Sequence, residues 1–136
     1  MTQRSSGVRE MRETLPGTLA AAEEFILEFR RRWGSSLEAP HEFETELLLR
    51  EALANAVKHG SQHLPARKVQ CVLRLRDRRL IIAVRDEGTG FNWRAAVRRE
   101  IGSLSPTGRG TRIYREYATR VRFNDRGNAV TLVKEF

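Results

Sequence analysis

The sequence predicts an α+β fold, a two-layer α/β sandwich in which a mixed, mostly antiparallel sheet carries helices on one face. Two long runs in the first half of the chain have apolar residues at helical spacing, and short apolar runs bounded by turn residues lie at positions 68–85 and 120–135. The 136 residues give room for one domain with a single core. We assign that domain to residues 8–136 and expect residues 1–7 to be disordered.

The first two predicted elements are an edge strand and a helix. Residues 8–15 favour a strand, which Pro16-Gly17 would end. Residues 18–33 follow a helical period, and the Gly-Ser-Ser sequence at 34–36 would end the helix. The predicted apolar side of this helix consists of Leu19, Ala22, Phe25, Ile26, Phe29 and Trp33.

A second helix is predicted over residues 40–59, and it contains an unusual polar pattern. Apolar residues cover most of its surface, so the helix should be largely buried. Glu51, Asn55 and His59 are four residues apart and therefore line one face. Polar groups on a buried helix cost stability unless they are paired or bind a ligand. Two interpretations remain: Glu51 pairs with an arginine while Asn55 caps a loop, or the three residues form a binding site.

Two strands are predicted at residues 68–76 and 79–85, joined by a two-residue turn. The second strand is followed by the sequence DEGTGF. A carboxylate at the end of a strand, followed by two glycines, provides a fixed hydrogen-bond acceptor beside backbone that a planar ligand can approach. The candidates for such a site are Asp86, Gly88 and Gly90. An ordinary turn is the alternative interpretation of the same residues.

The last third of the chain contains a second glycine pattern, PTGRGT at 106–111. It is preceded by a predicted short helix at 92–99 and a predicted mobile lid at 100–107. Glycines that lead into a helix, here predicted over 109–120, expose backbone N–H groups that bind phosphate. The same pattern is common in plain turns. A hairpin of strands, at 120–124 and 128–135, completes the predicted fold.

In this order the three patterns resemble the Bergerat-type ATPases, the superfamily that includes histidine kinases, gyrase B and the mismatch-repair ATPases. The resemblance is carried by the strings EALANAVKHG, VRDEGTGFN and GRGTRIYREYATRVRFNDRGNAVTLVKEF. The chain is most similar to the small anti-sigma factor serine/threonine kinases of bacterial partner-switching systems, over roughly residues 10–136. The resemblance implies the Bergerat ATP-binding fold, with ATP and Mg²⁺ as cofactors.

The resemblance also implies roles for individual residues. Asn55 would ligate Mg²⁺, and Glu51 would be the catalytic general base that accepts the hydroxyl proton of a serine or threonine on a protein substrate. Asp86 would accept a hydrogen bond from the adenine amino group. The other positions that match the family's nucleotide-binding motifs are His59, Gly60, Gly88, Gly90, Gly108, Arg109, Gly110 and Thr111. Gly60 fits a simple helix C-cap equally well.

The last motif departs from the usual pattern of the family at two places. Thr111 stands where relatives often have an apolar residue, and its hydroxyl has two interpretations, a bond to a phosphate oxygen or a helix cap. Pro106-Thr107 stands where many relatives have a basic or polar residue. Phosphoryl transfer needs positive charge at the γ-phosphate. The candidate cations, in order of preference, are Arg109, Arg98 and Arg99.

Composition and charge narrow the class of protein. The sequence contains no apolar stretch long enough to cross a membrane and no cleavable leader, so we expect a cytoplasmic protein without membrane attachment. Cys71 lies in an apolar strand and fits a small buried side chain better than a nucleophile. The net charge of +8 is spread along the chain, which makes a basic nucleic-acid-binding protein a less favoured hypothesis.

The resemblance implies two protein partners, a sigma factor and a small antagonist protein that is phosphorylated, together with a homodimer and no direct nucleic-acid partner. The first alternative is a regulatory module that responds to ATP without transferring phosphate. Glu51 separates these hypotheses, because a module that only binds nucleotide has less use for a base beside Asn55.

Overall fold

A computed structural model describes residues 8–88 and 106–136. Its strands form one sheet in the order β1-β2-β3-β5-β4, and every pairing among them is antiparallel. The predicted α+β fold and the predicted edge position of the first strand are confirmed. The strands are β1 (Arg9–Leu15), β2 (Val69–Arg76), β3 (Arg79–Asp86), β4 (Arg120–Phe123) and β5 (Ala129–Glu135).

Three α-helices are described, and they are α1 (Leu19–Trp33), α2 (Ala39–Asn55) and α3 (Pro106–Tyr117). Thr18 begins α1 as its N-cap, because its side chain accepts a hydrogen bond from the Ala21 N–H. A short 3₁₀ turn, Gly34–Ser36, ends α1 as predicted. In the described residues, no helix is long and apolar enough to cross a membrane.

The core lies between the helices and one face of the sheet, and alternate residues of each strand reach it. The register aligns Leu73 with Ile82 and Ile82 with Leu132, so that one buried row crosses three strands. The predicted apolar side of α1 is buried except for Leu19, which is exposed because it occupies the first turn of the helix. Cys71 is buried as predicted, and burial raises the pKa of its thiol.

The opposite face of the sheet is strongly basic. Its outward positions follow from the strand register, and they include many arginines but few acidic residues. The arginines are Arg12, Arg74, Arg76, Arg79, Arg85, Arg120 and Arg122, and the glutamates are Glu10 and Glu135. Positive charge that is dispersed along the sequence is therefore partly gathered on one surface, because alternate residues of neighbouring strands share a face.

The predicted boundaries of two helices are wrong. The second helix does not end at residue 59: regular α-helix stops at Asn55, and a π-helical turn, Ala56–Ser61, continues it. The third helix begins at Pro106 and ends at Tyr117, where we predicted 109–120. Proline fits the first position of a helix because it has no N–H to pair there, which explains the earlier start. The predicted helix at 92–99, and the predicted lid up to residue 105, lie outside the described residues.

Candidate functional site

Glu51 and Asn55 lie one helical turn apart in the last turns of α2, and both are half-buried. Burial raises the pKa of the Glu51 carboxyl, while the charge of Lys58, a hydrogen bond from Asn55 and the charge of His59 act in the opposite direction. A carboxylate with a raised pKa is a better proton acceptor than an exposed one. The two side chains therefore combine a potential base with an amide beside it.

Asn55 is held by a tyrosine from another helix. Its Nδ2 donates a hydrogen bond to the Tyr114 hydroxyl, at 3.1 Å. Tyr114 lies in the last turn of α3 and is buried. This contact joins the helix that carries Glu51 and Asn55 to the helix whose first turns contain the second glycine pattern.

The π-helical turn brings the end of α2 to the end of β3. His59 in this turn is exposed, and its charge lowers the pKa values of both Glu51 and Asp86, so it lies near both carboxyls. Glu51 and Asn55 lie one turn apart on α2, whereas His59 lies beyond the end of the α-helix, in the π-helical turn. Gly60 does not cap the helix: the left-handed residue that ends the turn is Gln62, with φ 55°.

Asp86 is the last residue of β3, and the residue is 9 % exposed. Its Oδ1 accepts a hydrogen bond from the Gly88 N–H at 2.7 Å. Burial raises the pKa of this carboxyl, and the Gly88 N–H and the charges of Arg85 and His59 partly offset that rise. Within the described part of the chain, no group donates a hydrogen bond to Oδ2. The carboxylate thus has one fixed oxygen and one available acceptor.

Two glycines close directly around this carboxylate. A Cβ atom built on Gly60 would lie 2.0 Å from Cγ of Asp86. A Cβ atom on Gly88 would lie 2.6 Å from the carbonyl oxygen of Gly60 and 2.9 Å from Oδ1 of Asp86. Separations this short exclude any side chain at either glycine without movement of its neighbours. Gly60 is therefore required for close packing, which neither sequence-based interpretation of it had identified.

Asn128 is a site-supporting residue that the sequence analysis missed. The backbone N–H of Asp86 donates to the Asn128 carbonyl at 2.9 Å, and the Asn128 side chain donates to the Asp86 carbonyl at 3.2 Å. Nδ2 of Asn124 in turn donates a hydrogen bond to Oδ1 of Asn128, at 2.6 Å. In the sequence these asparagines look like ordinary residues of the β4–β5 turn. Only strand pairing reveals that they fix the end of β3.

The structure brings Glu51, Asn55, His59, Asp86 and Gly88 to one region, where the end of α2 meets the end of β3. The backbone of Gly108, Arg109, Gly110 and Thr111 lies in the first turns of α3, so the glycines are inside the helix and not before it. Gly90, Arg98 and Arg99 lie outside the described residues. The proposed γ-phosphate contacts therefore stay predictions.

Asn55 offers an oxygen that suits Mg²⁺ bound together with a nucleotide. Among the described residues, no cluster of three or more His, Cys, Asp or Glu side chains could hold a metal ion by itself. Mg²⁺ in nucleotide sites is typically bound by one or two protein oxygens together with phosphate oxygens and water. In the described ranges, Oδ1 of Asn55 has no hydrogen-bond donor, so this half-buried oxygen fits the role of such a ligand.

A family model described as the histidine kinase-like ATPase domain matches residues 13–134, which include all the elements described above apart from the first four residues of β1 and the last residue of β5. A comparison with curated proteins gave no match.

Proposed function

Because the chain belongs to the histidine kinase-like ATPase family, we propose that it is an ATP-dependent serine/threonine protein kinase and anti-sigma factor of a partner-switching system. Its substrate would be a small antagonist protein, and its second partner would be a sigma factor. The observation that carries this proposal is the half-buried carboxyl of Glu51, with a raised pKa, one turn from Asn55. A proton acceptor beside a metal-binding oxygen is needed for phosphoryl transfer to a hydroxyl, but not for nucleotide binding alone.

In the proposed complex, the available Oδ2 of Asp86 accepts a hydrogen bond from the adenine amino group. Oδ1 cannot rotate away, because the Gly88 N–H holds it at 2.7 Å. Gly60 and Gly88 pack against the carboxylate and have no side chains that would cover its remaining edge, where a flat base would bind. A buried hydrogen-bond acceptor favours a ligand that carries a donor at the matching position, because any other ligand leaves the acceptor without a hydrogen bond.

The transfer step uses Glu51 as the base. The hydroxyl oxygen of a serine or threonine forms a bond to the γ-phosphorus while the bond from that phosphorus to the bridging oxygen breaks, which releases ADP. The hydroxyl proton goes to the Glu51 carboxylate. Oδ1 of Asn55 would hold Mg²⁺, which would supply positive charge for the phosphate oxygens. Most of the rate enhancement would come from positioning, and general-base assistance contributes about 10²–10⁴-fold.

The first alternative, a regulatory module that binds ATP without transferring phosphate, requires no function for Glu51.

Nucleic-acid binding is a weaker alternative, although the basic face of the sheet is a suitable surface for phosphates. The outward positions of that face carry no aromatic side chain. Sheets that bind single-stranded RNA or DNA typically stack bases on aromatic residues, so the face fits an acidic protein partner better. A homodimer remains part of the proposal.

The proposal is tested in two steps. Isothermal titration with Mg-ATP should detect one site per chain, and incubation with γ-labelled ATP and a small antagonist protein of this class should label a serine or threonine of that protein. Binding without labelling would favour the regulatory module. Absence of nucleotide binding, combined with salt-dependent binding of double-stranded DNA, would replace the kinase proposal with the nucleic-acid one.

A further inference from the structure

We infer that Tyr114 is a positioning residue that holds the side chain of Asn55 with its oxygen toward the Mg²⁺ ion. The inference rests on the proposed function, in which Asn55 is the metal ligand. It adds a residue outside the three motifs that first indicated the site. Its basis is the hydrogen bond from Asn55 Nδ2 to the Tyr114 hydroxyl, at 3.1 Å.

An asparagine side chain needs such a partner to act as a ligand. Its amide group has a donor end and an acceptor end of nearly the same shape, and only the oxygen can bind Mg²⁺. A rotation of 180° about the last side-chain bond would present the N–H₂ group to the metal. A hydroxyl that accepts from Nδ2 therefore favours the orientation in which Oδ1 is available.

The surroundings of Tyr114 make it a rigid partner. Its side chain is 2 % exposed, and its ring packs against Phe123 with the ring centroids 6.3 Å apart. Burial raises the pKa of its hydroxyl, and the negative charge of Glu51 acts in the same direction, so the group is neutral in the physiological range. A neutral, buried hydroxyl on a packed ring has little freedom to move.

Glu51 lies one turn before Asn55 on the same helix. Asn55 lowers the pKa of the neighbouring Glu51 carboxyl. The Tyr114 hydroxyl accepts a hydrogen bond from the Asn55 nitrogen, while no group in the described ranges donates to Oδ1. Glu51 would therefore be the base, and Tyr114 would orient the amide.

The contact also links two parts of the proposed nucleotide site. Tyr114 lies in α3, the helix that begins at Pro106 and contains Gly108 and Gly110 in its first turns. A phosphate that binds these turns would stabilise the position of α3 and, through Tyr114, that of Asn55. Metal binding and phosphate binding should therefore reinforce each other.

The test compares Tyr114→Phe with Tyr117→Phe by isothermal titration of ATP, first with Mg²⁺ and then with EDTA. Tyr114→Phe removes one hydroxyl and keeps the ring in the core. Tyr117→Phe is a matched control, because it removes a hydroxyl from the same helix that makes no hydrogen bond within the described residues. Thermal unfolding without ligand shows whether each variant folds.

We expect Mg²⁺ to tighten ATP binding by the wild type and by Tyr117→Phe. In Tyr114→Phe this enhancement should fall on the order of 10-fold, the typical effect of losing a hydrogen bond that orients a metal ligand. The affinity of Tyr114→Phe for ATP in EDTA should stay unchanged. If the hydroxyl only maintained the fold, its loss would lower that affinity as well.

Three results would overturn the inference. An unchanged Mg²⁺ enhancement in Tyr114→Phe would show that the hydroxyl does not orient Asn55, while the proposed function would stand. An equal loss of affinity with Mg²⁺ and with EDTA would show that Tyr114 only maintains the fold. A wild type that binds no ATP in either condition would remove the proposed function itself and the inference with it.

Discussion

Gly60 packs against the carboxylate of Asp86 so closely that a Cβ atom at residue 60 would lie 2.0 Å from Cγ and 2.3 Å from each carboxylate oxygen of Asp86. The two residues are far apart in the sequence, and they meet because the π-helical turn after α2 lies over the end of β3. The glycine therefore sets the position of the proposed adenine acceptor.

The variant Gly60→Ala should displace the Asp86 carboxylate. We expect ATP affinity to fall about 10- to 100-fold, the range for losing a hydrogen bond to a charged group, and the free energy of unfolding to fall by about 1–3 kcal/mol through overpacking. Isothermal titration and chemical denaturation measure the two effects.

Gly34→Ala is the matched control for Gly60→Ala. An added Cβ there would meet only the end of the flexible Glu42 side chain, at 2.7 Å, and the backbone of Gly34 is right-handed helical. ATP binding by the control should stay at the wild-type level. If Gly60→Ala also binds ATP normally, Asp86 is not the adenine acceptor.

The variant Asp86→Asn should bind ATP more weakly while keeping the fold. The Asn oxygen can still accept from the Gly88 N–H, which turns the Nδ2 donor toward the adenine amino group, where two donors face each other. We expect affinity to fall about 10- to 100-fold. Glu87→Gln serves as the control because Glu87 is exposed, and its contact with the Lys68 N–H needs only one oxygen. Equal affinities of the two variants would contradict the proposed acceptor.

The variant Glu51→Ala should separate binding from transfer. We expect Mg-ATP to bind as in the wild type, and phosphorylation of the antagonist protein to slow by about 10²–10⁴-fold. Glu38→Ala, on an exposed residue just before α2, should leave the rate unchanged. Single-turnover measurements with labelled ATP give the rate. A normal rate in Glu51→Ala would eliminate Glu51 as the base and favour the regulatory module or another proton acceptor.

The pH dependence of stability should reveal the buried carboxyl of Glu51. Burial raises its pKa in the folded state above its ordinary value of 4.5, so the native state binds this proton more tightly than the unfolded chain does. The carboxyl therefore destabilises the fold at pH values above the raised pKa, and the cost disappears as the pH falls through that pKa toward 4.5. Glu51→Gln should consequently melt at a higher temperature than the wild type at pH 7.

The difference in melting temperature between Glu51→Gln and the wild type should shrink as the pH is lowered into the ordinary carboxyl range. The exposed Glu38→Gln variant provides the comparison and should show no such pH-dependent gain. A Glu51→Gln protein that is less stable than the wild type at pH 7 would mean that a paired, stabilising carboxylate had been lost.

Most elements were predictable because their signals are local. The apolar spacing of residues 18–33 gave α1 to within one residue, and the turn residues between 76 and 79 gave the β2–β3 hairpin. Boundaries failed where the backbone departs from regular geometry. The continuation of α2 as a π-helical turn has no periodic signature, and its left-handed end at Gln62 replaces the expected glycine cap.

The candidate residues on α2 and β3 were also identified from the sequence, because polar groups in apolar runs and glycines after a strand are local patterns. Tyr114 and Asn128 were not. Tyr114 looks like one more apolar residue of an amphipathic helix, and its hydroxyl acquires meaning only when α3 packs beside Asn55. Asn128 looks like a turn residue until strand pairing brings it to Asp86.

The sequence by itself determined the fold class, the order of the elements and the chemical types available to a site, since propensity and periodicity act over a few residues. The tertiary structure alone decided which of these residues meet. Gly60 meets Asp86, Tyr114 meets Asn55, and arginines from four strands share one face, because packing and strand register join residues that are distant in the chain.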